Sequence, residues 1–84
     1  MTTTTIDRAE LRVLVAETLD LDISEVTDTA DFVNELDVDS LMALEVMVVL
    51  ERRYAVKLDE KRLAEITSLE NAHRLLTEAL EKKV

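Results

Sequence analysis

Three features of this 84-residue chain carry groups able to act on other molecules: the hydroxyl of Ser40 in Asp39-Ser40-Leu41, a row of carboxylates from Asp20 to Asp31, and the lone imidazole of His73. A serine becomes a nucleophile only beside a base that takes its proton. His73 is the one histidine, lies far along the chain from Ser40, and has no cysteine to work with. No catalytic set can be assembled, and His73 reads as a surface or core-edge residue. What remains for Ser40 is a passive role at the head of an apolar run. There, unpaired backbone N–H groups and the positive end of a helix dipole favour an anion such as a phosphodiester. The plainer alternative is that Ser40 or Asp39 is only a helix N-cap.

The carboxylate row Asp20, Asp22, Glu25, Asp28 and Asp31, with Ser24, offers oxygens at several calcium-loop spacings. It lacks the glycine at the sixth place and the bidentate glutamate at the twelfth that such a loop uses. No specific metal site is expected, only weak divalent binding that relieves carboxylate repulsion.

Charge and composition narrow the partners. With 19 acidic against 10 basic residues the net charge is −9, which repels nucleic acid and anionic membranes and steers basic protein patches toward the chain. The absence of cysteine removes disulfides and suits the cytosol. The stretch Thr2–Thr5 is no targeting signal, and the longest apolar run, Val46–Leu50, is too short to span a bilayer. A cytoplasmic monomer is expected. Apolar residues are 48% of the chain but the aromatics are only Phe32 and Tyr54, so the core must be aliphatic. With neither glycine nor proline, turns and helix ends fall to Asp, Asn, Ser and Thr.

These residues need elements to hold them. Asp7-Arg8-Ala9-Glu10 has capping-box spacing and opens a helix over 7–19, with Leu11, Leu14, Val15, Thr18 and Leu19 on one face. From Asp20 to Val38 the chain reads as a long ordered loop, pinned to the bundle by Leu21, Ile23, Val26, Phe32, Val33 and Leu36. A second helix spans 40–53 and ends in two cations, Arg52 and Arg53. Asp59 caps a short helix to Glu65, and Thr67-Ser68-Leu69-Glu70 is a second capping box that starts a last helix to about Lys82. The expected fold is all-α, a small four-helix bundle of three longer helices and one short one. Residues 1–6 form a flexible tail and 7–84 one domain.

The second helix has more apolar surface than packing needs. Val46, Leu50 and Tyr54, with Ala43 and Met47, make a stripe suited to the core. Leu41, Met42, Glu45, Val48 and Arg52 fall on another face. The surplus at Leu41, Met42, Leu44 and Val48 asks for a partner, an apolar cargo, or burial by the long loop.

Leu36-Asp37-Val38-Asp39-Ser40-Leu41, the apolar helix ending in Glu51-Arg52-Arg53-Tyr54, then Val56, Leu58 and Ile66-Thr67-Ser68-Leu69, together resemble an acyl carrier protein. The resemblance runs from about Leu11 to Leu76. It implies that Ser40, set between Asp39 and Leu41, carries covalent 4′-phosphopantetheine derived from coenzyme A. It also implies that the chain is no enzyme, because a separate phosphopantetheinyl transferase attaches the arm. The docking surface it implies is the second helix and the loop before it: Asp37, Leu41, Met42, Glu45 and Val48, with Arg52 further along. The partners it implies are an acyltransferase or ligase and a ketosynthase, or other pathway enzymes with basic docking patches. The core stripe, with Leu63 and Ile66, is placed to shelter a short acyl chain.

Two departures from the family pattern stand out. Asp37 occupies a place where the family usually has glycine, so any irregular backbone there falls to an aspartate. Met42 and Arg52 make the docking face less acidic than in fatty-acid carriers, which resembles discrete carriers of polyketide or related secondary pathways. Competing readings are a peptidyl or aminoacyl carrier, whose usual Gly-Gly pair is missing here, and an acidic helical interaction domain in which Ser40 is only a cap. A hydrolase built on Ser40 is weakest, since no base can be named.

Overall fold

The structure is a computed structural model and describes residues 6–82. The tract Thr2–Thr5 lies outside the described residues. Three longer helices and one short one form the expected all-helical bundle: α1 (Arg8–Leu19), α2 (Ser40–Tyr54), a 3₁₀ helix (Glu60–Glu65) and α3 (Leu69–Lys82). Among the described residues there is no strand, and no helix is long and apolar enough to cross a membrane.

The caps follow the sequence closely but not in every detail. Asp7 accepts the N–H of Ala9 at 2.9 Å and starts α1. Glu10, expected to close a capping box with it, turns away to α2, where it meets Arg53 and Tyr54. A charged tertiary partner outweighs a local backbone donor. At α3 the cap falls one residue later than expected: the Ser68 hydroxyl accepts from the Asn71 N–H at 3.2 Å, and Asn71 Nδ2 donates to Thr67 Oγ1 at 2.6 Å.

Without glycine, α1 and α2 end on Asp20 (φ 59°) and Ala55 (φ 54°), both left-handed. The Leu21 N–H then reaches back to the Ala16 carbonyl, and that of Val56 to the Glu51 carbonyl. This is the six-to-one bond of a Schellman ending, made at a steric cost that glycine would not bear.

The core is aliphatic around Phe32, which is fully buried with Leu11, Val15, Val26, Leu69 and Leu76. Val46, Met47 and Leu50 of α2 are buried as expected, and Ala43 and Tyr54 pack beside them. Ile6, assigned above to the tail, is 4% exposed, so the packed region starts one residue earlier. Its carbonyl lies 2.9 Å from His73 Nε2, which must carry the proton and donate. The lone imidazole is thus half-buried at the core edge, holding the N-terminal end down.

The loop from Asp20 to Val38 is ordered, but only partly by the residues expected to pin it. Val26 and Phe32 are buried and Leu21 and Leu36 partly so, whereas Ile23 (49%) and Val33 (58%) are exposed. Backbone bonds do the rest: Phe32 N–H to the Thr67 carbonyl at 2.9 Å, and Glu70 N–H to the Asp28 carbonyl at 3.1 Å. They tie the loop to the start of α3. A short 3₁₀ turn at Ile23–Glu25, not anticipated, is closed by Glu25 accepting the Asp22 N–H.

Candidate functional site

Ser40 is presented by two successive capped turns. In the first, Asp31 accepts from the N–H groups of Val33 and Asn34 and from Asn34 Nδ2, all at about 3 Å. The bonds from Asn34, backbone then side chain, hold its carboxyl below the ordinary carboxylate value. This turn stops at Asp37, whose φ of 56° is left-handed, so the aspartate bears the backbone that glycine would bear more cheaply. Val38 dives into the core at 3% exposure and its N–H bonds the Phe32 carbonyl. In the second turn, Asp39 accepts the Met42 N–H at 2.9 Å as the N-cap of α2. Val38 before the cap and Ala43 after it face the same cleft, like the two halves of a hydrophobic staple.

The cap settles the local role of each residue. Asp39 is the cap, so Ser40 is free to be the first residue of the helix, with its side chain exposed. Among the described residues the N–H groups of Ser40 and Leu41 have no acceptor. A hydroxyl and two backbone donors therefore share one open helix end, which suits a phosphate ester on Ser40 Oγ. The one imidazole is not among the residues of the cleft beside Ser40: His73 is spent on Ile6.

Beside Ser40 opens a cleft of about 510 Å³. One wall is Val38, Asp39, Ser40 and Ala43; the other comes from the 3₁₀ helix and the residues after it, including Lys61, Leu63, Ala64 and Ile66. Leu63 and Ile66, expected from sequence to shelter an acyl chain, do line it. Val33, Glu60, Lys61 and Ala64 line it too and were not anticipated. For Val33 the sequence offered no signal, since adjacent apolar residues can both be buried, as Val46 and Met47 are.

The residues proposed for docking separate into two groups. Leu41 (67%) and Val48 (38%) are exposed, as are Asp37, Glu45 and Arg52. Leu41, Glu45, Val48 and Arg52 recur at steps of four, three and four and form one exposed stripe on α2. Met42 and Leu44 are half-buried against the core, so the surplus apolar surface is smaller than the sequence suggests.

The carboxylate row is dispersed among structural roles. Asp20 closes α1, Asp28 pairs with Arg8 and Arg12, and Asp31 caps its turn. Among the described residues no group of three or more His, Cys, Asp or Glu is placed to hold a metal ion.

Comparison with known proteins matches residues 9–76 to the family described as "Phosphopantetheine attachment site". The chain is 58% identical to polyketide-8 synthase acyl carrier protein 2 of Streptomyces avermitilis, over 94% of this chain and 91% of that one. It is 36% identical to acyl carrier protein 1 of the same synthase, over 92% and 95% respectively. Its fold matches a chain in a structure titled "The ishigamide ketosynthase/chain length factor" with a TM-score of 0.72 at 28% identity, covering 88% of this chain and 93% of that chain.

Proposed function

Because the chain belongs to the family of phosphopantetheine-binding acyl carrier proteins, and so is a carrier and not an enzyme, we propose that Ser40 is the residue that takes the arm. The observation that carries this reading is the exposed Ser40 hydroxyl at the first position of α2, beside free N–H groups and a largely apolar cleft. When bound, 4′-phosphopantetheine supplies a terminal thiol on which an acyl group is held as a thioester. The chain's own contribution is placement. Asp39 fixes the helix start, and the free N–H groups of Ser40 and Leu41 favour the phosphodiester charge. Tethering raises the cargo's effective concentration at a docked enzyme to the order of millimolar.

The pathway we assign is polyketide synthesis. Support comes from the two polyketide synthase carriers to which the chain is similar and from the two substitutions, Met42 and Arg52, that make the α2 face less acidic. A ketosynthase is the partner best supported, since the matched solved chain, of nearly the same length, belongs to a structure with that title. A phosphopantetheinyl transferase and an acyltransferase or ligase complete the set. Docking uses Asp37, Asp39, Leu41, Glu45, Val48 and the accessible part of Met42, with Arg52 at the far end. Exposed carboxylates speed encounter with basic patches, and Leu41 and Val48 add contact area. The packed region from Ile6 onward acts as one carrier domain in the cytoplasm.

The test is incubation of the apo chain with coenzyme A, magnesium and a broad-specificity phosphopantetheinyl transferase. Mass spectrometry should show a gain of one phosphopantetheine, absent in Ser40→Ala. A folded chain with no gain, or a gain retained in Ser40→Ala, overturns the assignment.

A further inference from the structure

The cleft beside Ser40 holds an unpaired cation. Among the described residues, Arg8, Arg12, Arg53 and Arg62 are in ion pairs and Arg74 is bonded to Asn71, whereas Arg52, Lys57 and Lys61 are in no ion pair, and of these three only Lys61 lines the cleft. Among the same residues no carboxylate lies within ion-pair distance of Lys61, although the chain carries 19 acidic residues. Lys61 is exposed, and it is the only cationic residue lining the cleft with Ser40 among those described. Its backbone is fixed, because its N–H donates to the capping Asp59 carboxylate at 2.9 Å, while its side chain is left without a partner.

The charges around Ser40 make this cation useful. Asp37 and Asp39 lie on the N-terminal side and Glu60 on the opposite wall, all exposed. An anion joined to Ser40 Oγ meets these three carboxylates. Against them stand the helix N-terminus and Lys61. We propose that Lys61 is the partner of the phosphodiester on modified Ser40, and so sets the direction in which the arm leaves the helix, toward the 3₁₀ wall of the cleft. This inference rests on the attachment at Ser40. The phosphodiester is favoured over a charged group on the cargo because it is bonded to Ser40 itself, whereas the cargo sits at the far end of the arm. Lysine suits such a pairing, since a compact ammonium on a flexible stem follows a single anion without fixed fork geometry. The pair spans two elements, α2 and the 3₁₀ helix, so it also tethers the cleft's walls to each other through the arm.

The test uses the parent chain, Lys61→Gln and Lys61→Arg, each modified with coenzyme A and a transferase, with readings taken on the fully modified fraction. Mass spectrometry reports attachment, and phosphorus NMR reports the one phosphodiester. In the parent its resonance should move with added sodium chloride, and modification should shift the amide signals of Lys61 and Leu63–Ile66. In Lys61→Gln both shifts should be lost, and Lys61→Arg should restore them. Since Lys61 is exposed and its side chain unpaired, unchanged circular dichroism should confirm folding. Identical phosphorus resonances in fully modified parent and Lys61→Gln overturn the pair while leaving attachment intact. So does a Lys61 shift that appears only after loading a diacid cargo. No mass gain in any of the three brings down the attachment reading, and this inference with it.

Discussion

The two ends of α2 are built in opposite ways. At the C-terminal end Glu51, Arg53 and Tyr54 are all engaged, and of the described charged groups there only Arg52 is left to solvent. Arg53 pairs with Glu10 at 2.9 Å and lies over the Tyr54 ring at 5.8 Å, the Tyr54 hydroxyl donates to Glu10 Oε1 at 3.2 Å, and Glu51 accepts the Leu58 N–H at 2.7 Å. At the N-terminal end Asp39 caps Met42, and beyond that the Ser40 and Leu41 donors stand free with Leu41 exposed. One helix is thus anchored at its far end so that its near end need not be. A carrier that visits several enzymes gains from this division. Contacts that fixed the Ser40 end would have to break at every docking, whereas those at the Arg53 end stay intact.

The sharpest way to break the comparison is to set the buried support of the Ser40 end against its exposed surface. Phe32 is fully buried, and its backbone joins the loop before Ser40 to Thr67. Phe32→Ala should cost about 3–5 kcal/mol by opening a core cavity. That is a large share of the stability of any small domain. Leu41→Ala, at a side chain 67% exposed, should stay within about 0.5 kcal/mol yet slow acyl transfer by a docked ketosynthase. Urea unfolding of both variants measures the difference. Comparable losses would mean that Leu41 is packed and that the open end is not open.

The difference between the ends is only half legible in the sequence. The periodicity of Val46, Leu50 and Tyr54 and the acceptor at Asp39 place α2 and its cap, because both signals are local. Asp37 stands out as the place where a glycine-like backbone would fall, and its φ of 56° agrees. Glu10 misleads, since capping-box spacing looks the same whether or not a distant arginine competes for the carboxylate. The cleft is legible on one wall only. Leu63 and Ile66 stand out as apolar residues, but Lys61 and Glu60 look like ordinary solvated charges until the chain folds them across from Ser40.

A smaller effect tests the closed end. The Tyr54 hydroxyl is pushed up to about 12 from 10.0, first by burial, then by the charge and hydrogen bond of Glu10. For a phenol the sign is unfavourable at high pH: the unfolded chain ionises first, so stability is lost as pH rises from the ordinary value through the folded one. With one tyrosine and no tryptophan, phenolate absorbance follows this group alone. Glu10→Gln keeps an acceptor but removes the charge, so the midpoint should fall part of the way back while burial holds the remainder. Both partners of the Arg53–Glu10 pair are about half exposed, so the stability cost should be only about 0.2–1 kcal/mol. An unmoved midpoint would show that Glu10 does not close this end.

The smallest effect compares the two ends at the same backbone geometry. Ala55 beyond the closed end and Asp37 before the open end have nearly equal positive φ, 54° and 56°. A left-handed conformation costs an ordinary residue about 1–2 kcal/mol, less for aspartate, whose short carboxylate bonds locally. Ala55→Gly should therefore raise stability by about 1 kcal/mol, a gain limited by the greater freedom of glycine in the unfolded chain. That corresponds to a rise in melting temperature of about 4–8 °C for a domain of this size. Asp37→Gly should gain about half as much or less, because the aspartate already tolerates the geometry. Equal gains at both sites would show that the Asp37 carboxylate does nothing for its own backbone. It would then be held at the loop before Ser40 for its charge alone, which is the role a docking residue requires.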